Sequence, residues 1–394
     1  MPLSAGLRYA PAPIMPGPVD ICFLSSKHPP KDKRVFDKEA VSLAKAGFRV
    51  AHLAPGEPAA AIDRGVELRT YAPPARLVDR LAQLPRLFRL ARSVDAACYH
   101  CNEVDSWLVG VALKLSTGAK VVFDVHEIYP AEFAESRFPK PLQPVIAAGV
   151  RATIRALLPF TDRLVLAKQS AAPDYPGSES IQVLIQNFTS VEAAQSTSVP
   201  KAKKERLTAV HVGGMSRERG WPQLLEALRT PALKNLDVLL LGGFPSGGQQ
   251  EFEAAAQRAG LDHRFQIVEW LPFHEAYQRM AQCDIGLLLL QPGRLNHVHA
   301  FPHKLFDYML AELPVVVPGF SLEVSRIVSE ADCGILIDPS DPKSIAASLE
   351  ALISDPERRK TLGARGRAAV LERYNWEAEA QKLVTAYTAL FRDL

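Results

Sequence analysis

The chain has 394 residues, 47% of them apolar, and a formal net charge of +3. That length supports two domains with separate cores, and the small net charge gives no reason to expect nucleic acid as a partner. No run approaches the roughly 18 apolar residues of a membrane span; the longest candidate, Val145 to Leu158, is interrupted by Arg151 and Arg155.

Residues 1–18 are rich in Pro and Ala without a basic region and an apolar core behind it, so a disordered lead-in is expected rather than a signal peptide. Five cysteines, Cys22, Cys98, Cys101, Cys283 and Cys333, are scattered and odd in number, which points to a reducing, cytosolic setting. The first half alternates predicted strands (Val19–Ser25, Arg49–Leu53, Ala96–His100, Val121–Val125, Arg163–Ala167) with predicted helices (Val35–Ala46, Leu77–Arg92, Ser106–Leu115, Leu142–Leu158). Such alternation predicts an α/β domain with a parallel sheet covered on both faces, here residues 19–189. The polar run 190–206 reads as a linker. A second α/β domain, 207–375, follows, with strands near Ala209–Val212, Val238–Leu241, Gln266–Val268, Ile285–Leu290, Val315–Val317 and Ile335–Ile337. The last stretch, 376–394, reads as a helix free to pack back on the N-terminal domain. Ligands of doubly wound sheets bind beyond the carboxyl ends of strands, so the loops there are where chemistry is expected.

After the first strand comes a polar loop, Ser25 to Arg34, with no glycine-rich dinucleotide fingerprint. Residues 76–92 set five arginines among leucines with Asp79 as the only acid; such a segment fits an anionic membrane surface or the solvated face of a packed helix equally well, and Pro85 interrupts it. Cys98 and Cys101 lack the second ligand pair that zinc requires and read as packing. Asp105 is a plausible N-cap for the next helix. At Phe123-Asp124-Val125-His126-Glu127 a strand ends in a histidine and two carboxylates, where His126 is either reactive or a satisfied structural histidine. The segment His211-Val212-Gly213-Gly214 joins a strand to a helix at Trp221, and Arg217 and Arg219 follow within reach of an anion that the glycine backbone could approach.

Residues 299–319 read as loop, helix, strand, with Pro302 at the helix start and Pro314 stopping it before Val315-Val316-Val317. Helical spacing puts Leu305, Phe306, Met309 and Leu310 on one face and Lys304, Asp307 and Tyr308 on the other. Spacing alone allows two readings of Lys304 and Asp307: an exposed pair, or groups that meet an anion at the helix N-terminus.

The segment Phe301-Pro302-His303-Lys304-Leu305-Phe306-Asp307-Tyr308-Met309 resembles the donor-site motif of family 4 GT-B glycosyltransferases. Weaker resemblances accompany it: His28-Pro29 with Asp32, Arg34 and Phe36, the Asp-x-His-Glu element at 124–127, Asn187 as a crossover asparagine, and the Gly-Gly and Arg-Gly loop at 213–220. The resemblance implies two doubly wound Rossmann-like domains facing a cleft, and a retaining, nucleotide-sugar-dependent hexosyl transfer. It implies His126 at the reaction centre, and Gly213, Gly214, Arg217, Arg219, His299, Lys304 and Asp307 at the donor, with Asp307 on the ribose. Asp32, Arg34 and Glu127 fall on the acceptor side. No metal and no cofactor are expected, the nucleotide-sugar being a co-substrate, and a glycan or lipid-linked acceptor is expected, with peripheral contact at the inner membrane surface a further expectation. The chain departs from the family pattern at His299, where many members carry a glutamate, at Gly214 in place of an arginine, and at Glu312 in place of a glycine. Two other classes fit the same fold, a sugar-nucleotide epimerase and a non-catalytic nucleotide-sugar-binding protein.

Overall fold

The computed structural model describes residues 19–73, 77–195, 205–245 and 247–392. The lead-in 1–18, Arg76 and residues 196–204 of the expected linker lie outside the described residues. The chain divides into two units: the first extends to Gln186 and takes in the stretch from Ala378 onward, and the second is Asn187–Glu377. Within the linker segment, Val191–Gln195 is already a helix of the second unit.

In the first unit the strands are β1 (Val19–Leu24), β2 (Val50–Pro55), β3 (Ala60–Asp63), β4 (Val66–Tyr71), β5 (Ala96–Cys101), β6 (Lys120–Val125), β7 (Arg163–Leu166) and β8 (Gln182–Leu184). Their order is β3-β4-β2-β1-β5-β6-β7-β8, parallel apart from the antiparallel β3–β4 pair. Both faces are covered, so β1 is buried along its whole length and reads as a continuous apolar run instead of an alternating one. Sequence reasoning passed over β3 and β4. They are joined by Arg64 and Gly65 in left-handed conformations (φ 50° and 83°), the geometry of a two-residue hairpin.

The expected helix at 77–92 is two helices, Leu77–Ala82 and Leu84–Val94, with Pro85 in the first turn of the second. Leu87, Ala91 and Val94 are buried in the unit's core. Arg80 turns inward to Asp105, at 2.7 Å, so that arginine is committed to the protein and not to a membrane surface. Among the described residues no helix is long and apolar enough to cross a membrane. The helix Trp376–Arg392 sends Tyr387 and Phe391 against Phe48, at ring distances of 6.3 and 5.8 Å.

The second unit's strands are β9 (Leu207–Val212), β10 (Leu236–Leu241), β11 (Phe265–Val268), β12 (Ile285–Leu287), β13 (Val315–Pro318) and β14 (Gly334–Ile337), in the all-parallel order β11-β10-β9-β12-β13-β14. Strand order reverses between β1 and β5 in one sheet and between β9 and β12 in the other. Such a reversal leaves a crevice at the carboxyl ends of the two diverging strands. His28 and Glu103 follow β1 and β5; Gly213 and Gly214 follow β9.

Candidate functional site

In the first unit the loop after β1 is tied down by one carboxylate. Glu103, at the start of the helix Val104–Thr117, accepts the backbone N–H groups of Ser26 (2.8 Å), Lys27 (2.9 Å) and His28 (2.9 Å), and His28 Nδ1 lies 2.7 Å from its Oε1. Glu103, not Asp105, caps this helix, in a reciprocal box with Ser106, because Asp105 is taken by Arg80 and Ser26. Burial pushes the Glu103 carboxyl up, but the His28 hydrogen bond and charge and the backbone donors outweigh it and hold it at about 2. Burial pulls His28 down, and Glu103 more than compensates, so its imidazole is raised from its ordinary value.

Beside this pair stands a second. His126 Nε2 lies 2.5 Å from Asp124 Oδ2, and the His28 and His126 rings are 4.7 Å apart. An ionised carboxylate only accepts, so the His126 nitrogen facing Asp124 carries the proton and Nδ1 is the ring's other functional atom. Asp124 is fully buried and is bound by Arg34 through Nε (3.1 Å) and Nη2 (2.9 Å). Burial opposes the Asp124 charge, but Arg34 and His126 prevail and hold its carboxyl well below the usual range. Glu39, within 2.9 Å of the same guanidinium, is pushed the other way by burial, well above the usual carboxylate range. His100 completes the buried group, bonded through Nδ1 to the Tyr387 hydroxyl at 2.5 Å and 3.4 Å from Glu39 through Nε2. Glu39, His100 and Asp124 could surround a cation in geometry alone; Arg34 already places positive charge between the carboxylates.

Among the expected acceptor-side residues, Asp32 accepts the N–H groups of Arg34 (2.8 Å) and Val35 (3.0 Å) and starts the helical segment, while Arg34 is 5% exposed and binds Asp124 and the Ile185 carbonyl. Arg34 therefore supports His126 through Asp124, and Asp32 holds the Arg34 backbone. Glu127 is half exposed, paired with the buried Lys168 at 2.7 Å. His28, His126 and Glu127 line a cavity of about 530 Å³ whose wall includes Leu108, Phe133 and Val150. Sequence reading noticed the His28-Pro29 loop but missed its tie to Glu103, which lies 75 residues away and which only the β1–β5 pairing brings near.

In the second unit, Gly213 takes φ 91°, where a non-glycine residue would be strained. Lys304 Nζ donates to the Val212 carbonyl (2.6 Å) and would lie 3.6 Å from a Cβ at Gly213. Gly214 meets Pro245 so closely that a Cβ there would fall 2.4 Å from the ring, which accounts for the missing arginine at that position. Arg219 donates to the Gly214 carbonyl. Burial lowers both cations, and Lys304, with Arg219's charge adding to burial, comes down to about 7. Neither has a carboxylate partner among the described residues. Two neighbouring cations, next to backbone that accepts close approach, form a cradle for a polyanion. Arg217 is mostly exposed, paired with Glu251 and stacked 4.9 Å from the Trp221 ring, and so is already engaged.

The helix His303–Leu310 corrects one expectation: its two faces are not packed and open, because every residue from Leu305 to Leu310 is buried. Tyr308 is inside, its hydroxyl accepting from Val212 N (2.8 Å) and donating to the Leu287 carbonyl (3.2 Å). Asp307 is 3% exposed, accepts the Thr189 hydroxyl at 2.5 Å and stands 3.8 Å from His303 Nε2. His299 follows the short helix Leu295–Val298, partly exposed, its N–H donating to the Leu295 carbonyl at 3.0 Å. Glu312 adopts φ 58°, the left-handed conformation that a glycine would take without strain. The Val268 carbonyl, within the stretch considered for base recognition, accepts from Gly242 (2.8 Å) and Gly243 (3.1 Å).

Residues 194–369 match a family model described as glycosyl transferases group 1, and residues 34–174 match one described as glycosyltransferase family 4. The D-inositol 3-phosphate glycosyltransferase of Corynebacterium efficiens is 25% identical over 190 residues, 45% of this chain. The chain thus spans 41% of the length of that curated relative. Among solved structures, a sucrose-phosphate synthase from Thermosynechococcus elongatus superposes with TM-score 0.70 at 18% identity, covering 95% of this chain and 100% of that one. The Anabaena HepE protein in complex with UDP superposes with TM-score 0.70 at 16% identity, over 94% and 100%. At these identities the superpositions speak for the fold.

Proposed function

The chain belongs to the family 4 glycosyltransferases of GT-B fold, and from that premise we propose that it is a retaining enzyme that moves a hexosyl group from a nucleoside diphosphate-sugar to a glycan or lipid-linked acceptor without a metal. The observation that carries the donor half is the cradle of Gly213, Gly214, Arg219 and Lys304 at the reversal of the second sheet. Two cations with no carboxylate bonded to them among the described residues, beside a left-handed glycine, suit a diphosphate, and a similar fold holds UDP in the Anabaena protein. The same two cations would stabilise the leaving diphosphate in place of Mg²⁺ or Mn²⁺, and no cofactor enters the reaction.

In the first unit His126 supplies the reaction-centre group. Its Nε2 is fixed on Asp124, and its ring lines the cavity that would take the acceptor. The acceptor hydroxyl attacks the anomeric carbon on the face the diphosphate leaves; its proton passes to the departing phosphate oxygen as the carbon–oxygen bond breaks. His126 Nδ1 positions the sugar in that step. The five cysteines, all unpaired and buried, suit a cytosolic setting.

Calorimetry with a panel of nucleoside diphosphate-sugars tests the donor half. Arg219→Ala should weaken binding by about 1.5–3 kcal/mol, the range for hydrogen bonds to charged groups. Asp307→Ala should weaken it too, through the ribose and the lost Thr189 contact. Unchanged affinity in both would remove the assignment. Undiminished transfer in excess EDTA is expected, and a strict metal requirement would overturn the metal-independent reading. Donor hydrolysis without transfer to any glycan would favour a different chemistry on the same donor site, and donor binding without turnover would make the chain a binding protein.

A further inference from the structure

The cavity of the first unit holds more positive charge than its fold uses. Among the acids on its wall, Glu103, Asp105 and Glu127 are each bonded to a cation: His28, Arg80 and Lys168. Glu132, the other acid on the wall, is engaged as well. Against it stand Lys27 and Arg137, both exposed, neither with a carboxylate partner among the described residues; Arg137 bonds only Ser136 Oγ (2.9 Å) and lies 4.7 Å from the Phe133 ring. His28 is the deeper group. Its Nδ1 is taken by Glu103, which leaves Nε2–H as the ring's second donor, one ring away from His126 at 4.7 Å.

We propose that His28, oriented by Glu103 and flanked by Lys27 and Arg137, is the acceptor-recognition residue of this cavity and selects acceptors that carry an anionic group, a phosphate or a carboxylate, near the attacking hydroxyl. The proposal rests on the reading of His126 as the reaction-centre residue. The Glu103 carboxylate 2.7 Å from Nδ1 supports it, because it favours the protonated ring, and an imidazolium Nε2–H is a stronger donor to an anionic oxygen than a neutral ring. Glu103 acts as a positioning residue. It is 5% exposed, and it spends its two oxygens on the Ser26–His28 backbone and on one ring nitrogen, so it fixes the place of the ring and favours its charged form. The apolar wall of Leu108, Phe133 and Val150 then receives the uncharged part of the acceptor.

The test uses three hexoses as probes on the full chain: glucose 6-phosphate, glucuronate and glucose. Imidazole NMR follows the His28 and His126 ring nitrogens during each titration. Both anions should perturb His28 at concentrations at least tenfold below glucose, and the tighter of the two identifies phosphate or carboxylate as the recognised group. His28→Gln keeps a donor but no charge and should reduce the preference about tenfold, read on the His126 ring. Should that variant not fold, Lys27→Ala with Arg137→Ala, which removes only exposed side chains, should reduce it as well. Equal binding of all three hexoses by the native chain, or an unchanged preference in a folded variant, overturns the proposal. Nucleotide-sugar binding, measured separately, keeps the two readings apart. A chain that binds the anions at His28 but no nucleotide refutes the donor reading alone; a chain that binds nucleotide but shows no anion preference refutes this one alone.

Discussion

Lys304 makes donor binding a proton-linked event. Burial and the charge of Arg219 bring its ammonium from 10.5 down to about 7, so near neutral pH about half of the ligand-free molecules carry a neutral amine there. A diphosphate against Lys304 and Arg219 favours the charged form, and binding must then draw a proton from solvent wherever the amine was neutral. At about pH 8.5 only about 3% of the ligand-free protein is protonated at this site, against about 90% at about pH 6. If the charged form alone accepts the diphosphate, affinity falls about 30-fold between those values, or about 2 kcal/mol. A doubly esterified diphosphate does not titrate in this window, so a nucleotide-sugar is the right ligand and free nucleoside diphosphate is not. Calorimetry in two buffers of different ionisation enthalpy reads the uptake directly: close to none at about pH 6, approaching one proton per site at about pH 8.5. Lys304→Met should bind weakly at every pH, without uptake. No uptake in the native protein at the alkaline end, or the same uptake in the variant, would refute the reasoning. Ligand-free stability carries the opposite sign. Because the folded value lies below the unfolded one, the unfolded chain holds more protons between about 7 and 10.5, and stability rises with pH across that window.

Three further outcomes follow from the geometry. His126→Ala should lower turnover far more than nucleotide affinity, since its partner is the reacting sugar and not the nucleotide; NMR assignment of the product anomer beside the kinetics checks both halves, and an inverted product would end the front-side mechanism. Arg34→Met strands Asp124 in the core beside Glu39, so urea unfolding should show a loss of about 3–5 kcal/mol at neutral pH. That loss should shrink as pH falls, because protonating Asp124 removes the uncompensated charge; an equal loss at every pH would point to packing instead. Gly363→Ala would put a methyl group 2.2 Å from the Glu312 carbonyl oxygen, where the helix Pro356–Glu372 meets the turn after His303–Leu310. A loss of about 1–3 kcal/mol in the same assay is expected, and none would show that the backbone there yields freely.

Arg34 and Asp124 also qualify how pH acts on the first unit. Asp124, held low, contributes stability that is present above the ordinary carboxylate range and fades as pH falls through its folded value. Glu39, held high, binds a proton in the folded chain that the unfolded chain has released, so it works against stability as pH rises. The two oppose each other around one guanidinium. Their group reaches the helix Trp376–Arg392 through His100 and Tyr387.

The sequence by itself determined the α/β class, the strands that run as unbroken apolar stretches, and the places where strands end in unusual residues: Asp124 to Glu127, Gly213 to Arg219, and the helix after Pro302. These are local signals, carried by period, by proline and glycine, and by motif, and the residues that produce them are neighbours in the chain. Tertiary structure decided what those residues do. Arg34, read as an acceptor contact, is 5% exposed and bonded to Asp124, 90 residues away, because the sheet order brings the two together. Asp105 lost the N-cap to Glu103 because Arg80 claims it. The helix at 303–310 showed an open face by spacing, but it is buried from Leu305 to Leu310 and only its first turn is partly exposed, with the Tyr308 hydroxyl bridging β9 and β12. Burial moves Lys304 and Glu39, and Arg34 and His126 hold Asp124 against it; each balance is a sum over neighbours contributed by several strands and helices. No window of sequence contains that sum, so it is settled only once the sheet order is fixed.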